Sequence, residues 1–196
     1  MEDQSFASSY IPSLNGEVNG VTRLADVCNN AGSSDLINST EGVLYAEVSA
    51  LADDNTGRKI TLNNGSNSQV VVLEYTSTPN QIRVFLSNGS LQFNEYITIS
   101  DLTEFNKIAI KYKENDFAIW VNGLELATSL IGTTFSSGTL TSINFDDGSG
   151  FADFYGNVKC VAVFKEALDN DQLERLTGEG YETFNLLAQA NNYTII

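Results

Sequence analysis

The sequence predicts an all-β, two-sheet antiparallel sandwich with one short late helix. Three observations carry that prediction. Short segments of strict period-two alternation recur along the chain, separated by Asn, Asp, Gly and Ser turns. Only 2 prolines stand against 15 glycines, so strands are rarely interrupted and tight turns are plentiful. A length of 196 residues with 42% hydrophobic content suits one sandwich domain with a proper core.

The elements follow in order. Residues 1–20 read as an extended bridging segment with Pro12, and 21–196 as the domain proper. Val21–Val27 is a short strand, and Asn29–Glu41 is loop-like. In Val43–Ala50, alternation places Leu44, Ala46 and Val48 on one face and Tyr45, Glu47 and Ser49 on the other. A turn over Asp53–Gly57 leads to a strand at Arg58–Leu62. Strands at Gln69–Tyr75 and Gln81–Leu86 follow, both rich in β-branched residues. Asn88-Gly89 closes a hairpin onto Leu91–Phe93, and Tyr96–Ile99 reads as a separate strand.

Phe105–Gly123, FNKIAIKYKENDFAIWVNG, is the strongest local signal. It reads as two strands about a turn at Lys113–Asp116, ending on Asn122-Gly123. Pairing Tyr112 with Phe117 places Ile108, Ile110, Ile119 and Val121 on one side. Ala109, Lys111, Ala118 and Trp120 then share the other. Leu124–Ala127, Thr139–Phe145 and Phe154–Phe164 complete the strands, with a loop over Asp146–Asp153. In Leu168–Gly178, Asp169 is a helix N-cap with Gln172 as capping-box partner and Gly178 past the last turn. Leu168, Leu173 and Leu176 would face inward. The tail from Tyr181 is ambiguous: Phe184–Ala190 is helix-permissive and Tyr193–Ile196 strand-like.

Composition narrows the function. A formal net charge of -15 repels phosphate backbones and anionic lipid, so neither nucleic acid nor a membrane surface is an expected partner. With no histidine, Ser-His-Asp and Cys-His nucleophiles and His-ligated zinc are excluded. Residues 1–4 lack a basic start and an apolar stretch, so no secretory signal is expected. Cys28 and Cys160 read as two small buried thiols, with a disulfide between them the alternative.

Two motifs bring a family into view. KIAIKY followed by AIWVNG, and later FYGNVKCVAVFKEALDNDQLERL, together resemble the laminin-G-like branch of the concanavalin A-like lectin/glucanase superfamily. At the start, SFASSYIPS and GVTRLADV resemble a bridging segment of phage tail and other virion proteins. The resemblance implies a jelly-roll sandwich used for glycan recognition, sometimes with calcium at the rim. It also implies a place on the virion surface, in a tail-fibre or head protein. The expected partners are cell-surface or environmental polysaccharide, neighbouring virion modules and a homo-oligomer.

A sugar site needs a flat apolar platform with paired donors and acceptors. Trp120, flanked by small alanines and Lys111, is the first candidate; a loop or the N-terminal segment covering that face is the alternative. Tyr45 with Glu47, and Tyr155, are further candidates. Asp146, Asp147 and Asp153, with Asp53 and Asp54 on another loop, supply oxygens of the kind calcium takes; a solvated acidic turn is the alternative. The superfamily's glucanases carry E-x-D-x-(x)-E on one strand, and this chain has no such run. A non-catalytic binding module is therefore expected, with a purely structural virion module the alternative and a glycan-active enzyme disfavoured.

Overall fold

A computed structural model describes residues 32–178. The bridging segment 1–20, the Val21–Val27 strand, Cys28 and the tail from Tyr181 lie outside the described residues. Ten strands come first: β1 (Glu41–Ala50), β2 (Arg58–Asn63), β3 (Gln69–Tyr75), β4 (Gln81–Asn88), β5 (Leu91–Thr98), β6 (Asn106–Lys113), β7 (Phe117–Val121), β8 (Leu124–Ser129), β9 (Ser142–Asn144) and β10 (Gly156–Phe164). The helix α1 (Asn170–Thr177) follows them.

The strands form two five-stranded antiparallel sheets, ordered β10-β1-β6-β7-β8 and β5-β4-β3-β2-β9. The β6–β7 hairpin has the predicted register, with Ile108 opposite Val121, Ala109 opposite Trp120 and Ile110 opposite Ile119. Asn122 (φ 50°) and Gly123 (φ 86°) make a two-residue turn into β8. Both need positive φ, which is why this dipeptide works there.

Between the sheets lies one apolar core. β1 contributes Leu44, Ala46 and Val48, β6 and β7 contribute Ile108, Ile110, Phe117 and Ile119, and β3 contributes Val71, Leu73 and Tyr75. Each large aliphatic side chain so buried contributes about 1.5–3 kcal/mol.

Several strand ends shift by one or two residues, and three differences are larger or have a clear cause. Leu91–Phe93 and Tyr96–Ile99 are one strand, because Asn94 and Glu95 pair with Phe85 and Val84 of β4. Tertiary pairing there overrides the poor strand preference of Asn and Glu. β9 is trimmed to three residues. β10 starts at Gly156, since Phe154 turns inward and its ring lies 5.5 Å from that of Tyr75.

Helix α1 is capped as its sequence dictates. The Asp169 side chain accepts from the Gln172 N–H at 2.8 Å, and the Asp169 N–H donates to the Gln172 side chain at 2.9 Å. The Gly178 N–H closes the far end on the Glu174 carbonyl. No helix among the described residues is long and apolar enough to cross a membrane.

Candidate functional site

The face carrying Trp120 is closed. Helix α1 lays Leu173 and Leu176, with Leu168 just ahead of its cap, over Val43, Tyr45, Ala109, Ala118 and Trp120, making a second apolar cluster on the outer side of the β1–β6–β7 sheet. Trp120 is 6% exposed. The alanines that could have left room for a sugar ring instead leave room for leucine side chains. The expectation of an open platform here is therefore corrected: among the described residues it is the chain's own helical segment that covers it. The indole N–H is buried with no hydrogen-bond partner among the described residues.

The other platform candidates follow suit. Tyr45 is buried in the same cluster, and burial together with the nearby Glu47 charge pushes its phenol well above the ordinary range. Lys111 is buried and its Nζ sits 2.6 Å from Asp116, so it does not reach out to a ligand. Glu47 pairs with Lys159 at 3.1 Å. Cys160, beside Glu47 on this sheet, is a free half-buried thiol whose pKa burial pushes up to about 11. Tyr155 alone of the candidates stays partly open, at 38% exposure. Its ring lies under the Arg58 guanidinium, 4.4 Å away.

The acidic residues serve their own loops. Asp146 accepts the Gly148 N–H at 2.6 Å. Asp147 accepts from the Ser149 N–H and hydroxyl and from the Phe151 N–H. Desolvation works against the Asp147 charge, but these hydrogen bonds and Lys59 outweigh it and hold its carboxyl below the usual range. Asp53 accepts the Asn80 N–H at 2.9 Å. Asp153 lies beside Lys59 in a one-residue bridge. Asp54 takes the Arg58 guanidinium at 2.6 Å, so the cation beside that turn is already a side chain. Among the described residues no three carboxylates, cysteines or histidines gather as a metal would need.

The outer face of the other sheet is different. Its register sets Lys59 opposite Glu74, Glu74 opposite Arg83, and Arg83 opposite Tyr96, a row across four strands. One step along the strands, Thr61, Val72, Phe85 and Asn94 form a second row. The β2 end is roofed by the Asp146–Phe151 loop. There Gly148 has φ 85°, and a Cβ on it would come within 3.0 Å of the Asn63 side chain and the Ser66 carbonyl. Beneath it, the Thr61 hydroxyl donates to the Asp146 carbonyl and the Asn63 amide donates to Thr61.

Among the described residues the β4–β5 end has no such roof. The Arg83 guanidinium lies 4.3 Å from the Phe85 ring centre and 5.2 Å from that of Tyr96. Its Nε donates to the Asn94 side-chain oxygen at 2.7 Å. One terminal nitrogen stands 3.6 Å from Glu74, which Lys59 approaches to 3.8 Å from its other side. Tyr96 is 55% exposed. An arginine held between two rings by an amide and a carboxylate is a fixed, half-open platform. The sequence held a signal for it: Arg83 and Phe85 alternate with Ile82, Val84 and Leu86, so they had to face away from the core.

A shallow cleft of about 480 Å³ opens at one rim, lined by Thr40, Glu41, Lys113, Glu114, Thr133 and Thr134 among others. It is polar, and its one aromatic, Phe135, is buried.

No family model and no curated protein sequence matches this chain. Solved structures match its fold. The CBM40 of the Ruminococcus gnavus IT-sialidase, bound to α2,3 sialyllactose, superposes with a TM-score of 0.59 at 15% identity, over 76% of this chain and 93% of that one. The heptameric SAP-like pentraxin of Limulus polyphemus gives 0.57 at 15% identity, over 77% and 78%. Domain 4 of AbnA, a GH43 arabinanase of Geobacillus stearothermophilus in complex with arabinotriose, gives 0.55 at 10% identity, over 74% and 70%. Such likeness shows the fold alone, a two-sheet antiparallel jelly-roll sandwich.

Proposed function

We propose that this chain is a non-catalytic glycan-binding module on a virion surface, part of a phage tail fibre or head protein that contacts cell-surface or environmental polysaccharide. The observation that carries the glycan reading is the half-open Phe85–Arg83–Tyr96 platform, an exposed ring beside oriented polar groups on a sandwich fold. Two of the structural neighbours are complexes with sialyllactose and arabinotriose, which supports the same reading. The virion setting is supported by the likeness of SFASSYIPS and GVTRLADV to virion bridging segments. Absence of a paired-carboxylate strand supports a binding rather than a hydrolytic role.

A single shallow platform binds weakly, with affinity on the order of millimolar, and many copies on one particle raise avidity without new contacts. Titration of immobilised polysaccharides with the chain displayed on a multivalent particle, and as the free chain, tests this. Retention of the particle only, on at least one glycan, is the expected result. No retention of either across a broad panel overturns it.

A second reading, a module that spaces or oligomerises without binding glycan, is favoured by the sheet edge at β8. Leu124 and Leu126 on that strand, with Leu130 and Ile131 just after it, are all exposed, Ile131 at 80%. Light scattering on a sizing column separates the two: a dimer broken by Leu126→Lys supports it, a monomer does not.

A further inference from the structure

Resting on that reading, we infer that the platform takes an uncharged glycan, with one sugar ring on Tyr96 and a pair of neighbouring hydroxyls over Arg83 and Glu74. The argument is one of donors and acceptors. A guanidinium only donates and a carboxylate only accepts, and here the two stand side by side, 3.6 Å apart, too far to satisfy each other fully. A hydroxyl does both, so neighbouring hydroxyls can accept from Arg83 and donate to Glu74 through Oε1, the oxygen on the Lys59 side, since the Oε2 nearer Arg83 is buried without a hydrogen-bond partner among the described residues. A carboxylated sugar can answer Arg83 but has no proton for Glu74, and it meets that charge head-on.

The surroundings point the same way. Lys59 and Arg83 are balanced by Glu74, which both approach, and by Asp147, whose carboxyl Lys59 helps to keep ionised. No net positive charge is left over on this face, and the whole chain carries -15. The long-range field therefore discourages acidic polymers. Arg83 is also fixed in advance: Asn94 holds Nε, and the Phe85 and Tyr96 rings pack against the guanidinium. Little ordering remains to be done when a ligand arrives. The exposed part of the Tyr96 ring supplies the apolar surface that a sugar's C–H face needs.

Calorimetry of the full chain against neutral hexaoses (malto-, cello- and manno-) and against 3′-sialyllactose and oligogalacturonate tests this. A neutral oligosaccharide binds, with an affinity that changes by less than about twofold between roughly 50 and 500 mM salt. Tyr96→Ala weakens it roughly tenfold with an unchanged melting temperature. The near-isosteric Glu74→Gln weakens neutral ligands several-fold, whereas at an anion site it would strengthen acidic ones. Tighter binding of the acidic probes overturns the ligand class and leaves the glycan reading standing. Neutral binding untouched by Tyr96→Ala overturns the site. Failure of every probe overturns this inference, and the glycan reading falls with it only if the multivalent particle also fails on the polysaccharide panel.

Discussion

The two outer faces of this sandwich begin alike and end differently. Each is the outward register of a five-stranded sheet, and each pairs aromatics with a cation: Trp120 and Tyr45 with Lys111, and Tyr96 and Phe85 with Arg83. On the first, helix α1 closes over the tryptophan and Asp116 takes the lysine. On the second, the loop after β9 roofs the β2 side, and among the described residues nothing closes over the tyrosine and arginine. The difference lies in what surrounds the aromatic. Tyr45, Val43 and two alanines make an apolar bed that a leucine stripe can dock on; Glu74, Asn94 and Lys59 do not.

That contrast can be broken by substitution, and the largest effect belongs to the covered face. Trp120→Ala is expected to cost about 3–5 kcal/mol, since it empties a packed site under α1. Thermal denaturation checks it. An unchanged melting temperature together with lost glycan binding would make the covered face the binding site after all.

Asp116→Ala leaves the buried Lys111 ammonium without its partner. Because Asp116 is 39% exposed and water can reach the pair, a cost of about 1–3 kcal/mol is expected, lower than for a fully buried ion pair. Urea unfolding of Asp116→Ala beside Lys111→Met checks it: the methionine variant, which removes the charge, is the more stable of the two.

Asp169→Ala strips the capping box and weakens the lid by about 1 kcal/mol. A loss as large as that of Trp120→Ala would mean the cap holds more than the helix end. Tyr96→Ala lies at the small end, within about 0.5 kcal/mol of the parent, because its ring stands in solvent.

Acid sharpens the same comparison through the roof loop. The Asp147 carboxyl is held below its ordinary value of 3.8 in the folded chain. The stability it contributes is present above that value and is lost as pH falls through the lower folded-state one, because the unfolded chain takes up its proton first. Asp147→Asn is expected to flatten that part of the acid unfolding curve, measured by circular dichroism; an unchanged curve would show that the loop's hydrogen bonds do not favour the ionised form.

The strand pattern was legible because alternation and turn chemistry are local. KIAIKY and FAIWV announce both their faces and their register, and Asp169-x-x-Gln172 announces a helix start. The site was not legible in the same way. Alternation said that Trp120 shares a face with Lys111, and that was so. It could not say that the helix some 50 residues later would return to that face. Nor could it show that Arg83 and Tyr96 stand opposite each other, since that depends on the β4–β5 register and on the bulge at Leu86/Ser87. The acidic loops misled for a related reason: Asp146, Asp147 and Asp54 look like cation ligands by type, and their oxygens are spent on nearby N–H groups and Arg58.

By itself, then, the sequence determined the all-β class, the capped helix, the inward residues of β1, β6 and β7, and an acidic surface unsuited to anionic partners. These rest on periodicity, capping and charge, which act within a few residues or sum over the whole chain. Only the tertiary structure decided which outer face would be covered. That choice is a competition for apolar surface between segments far apart in the chain: Leu168, Leu173 and Leu176 went to the face where Trp120 and the alanines offered most, and left Tyr96 and Arg83 to the solvent.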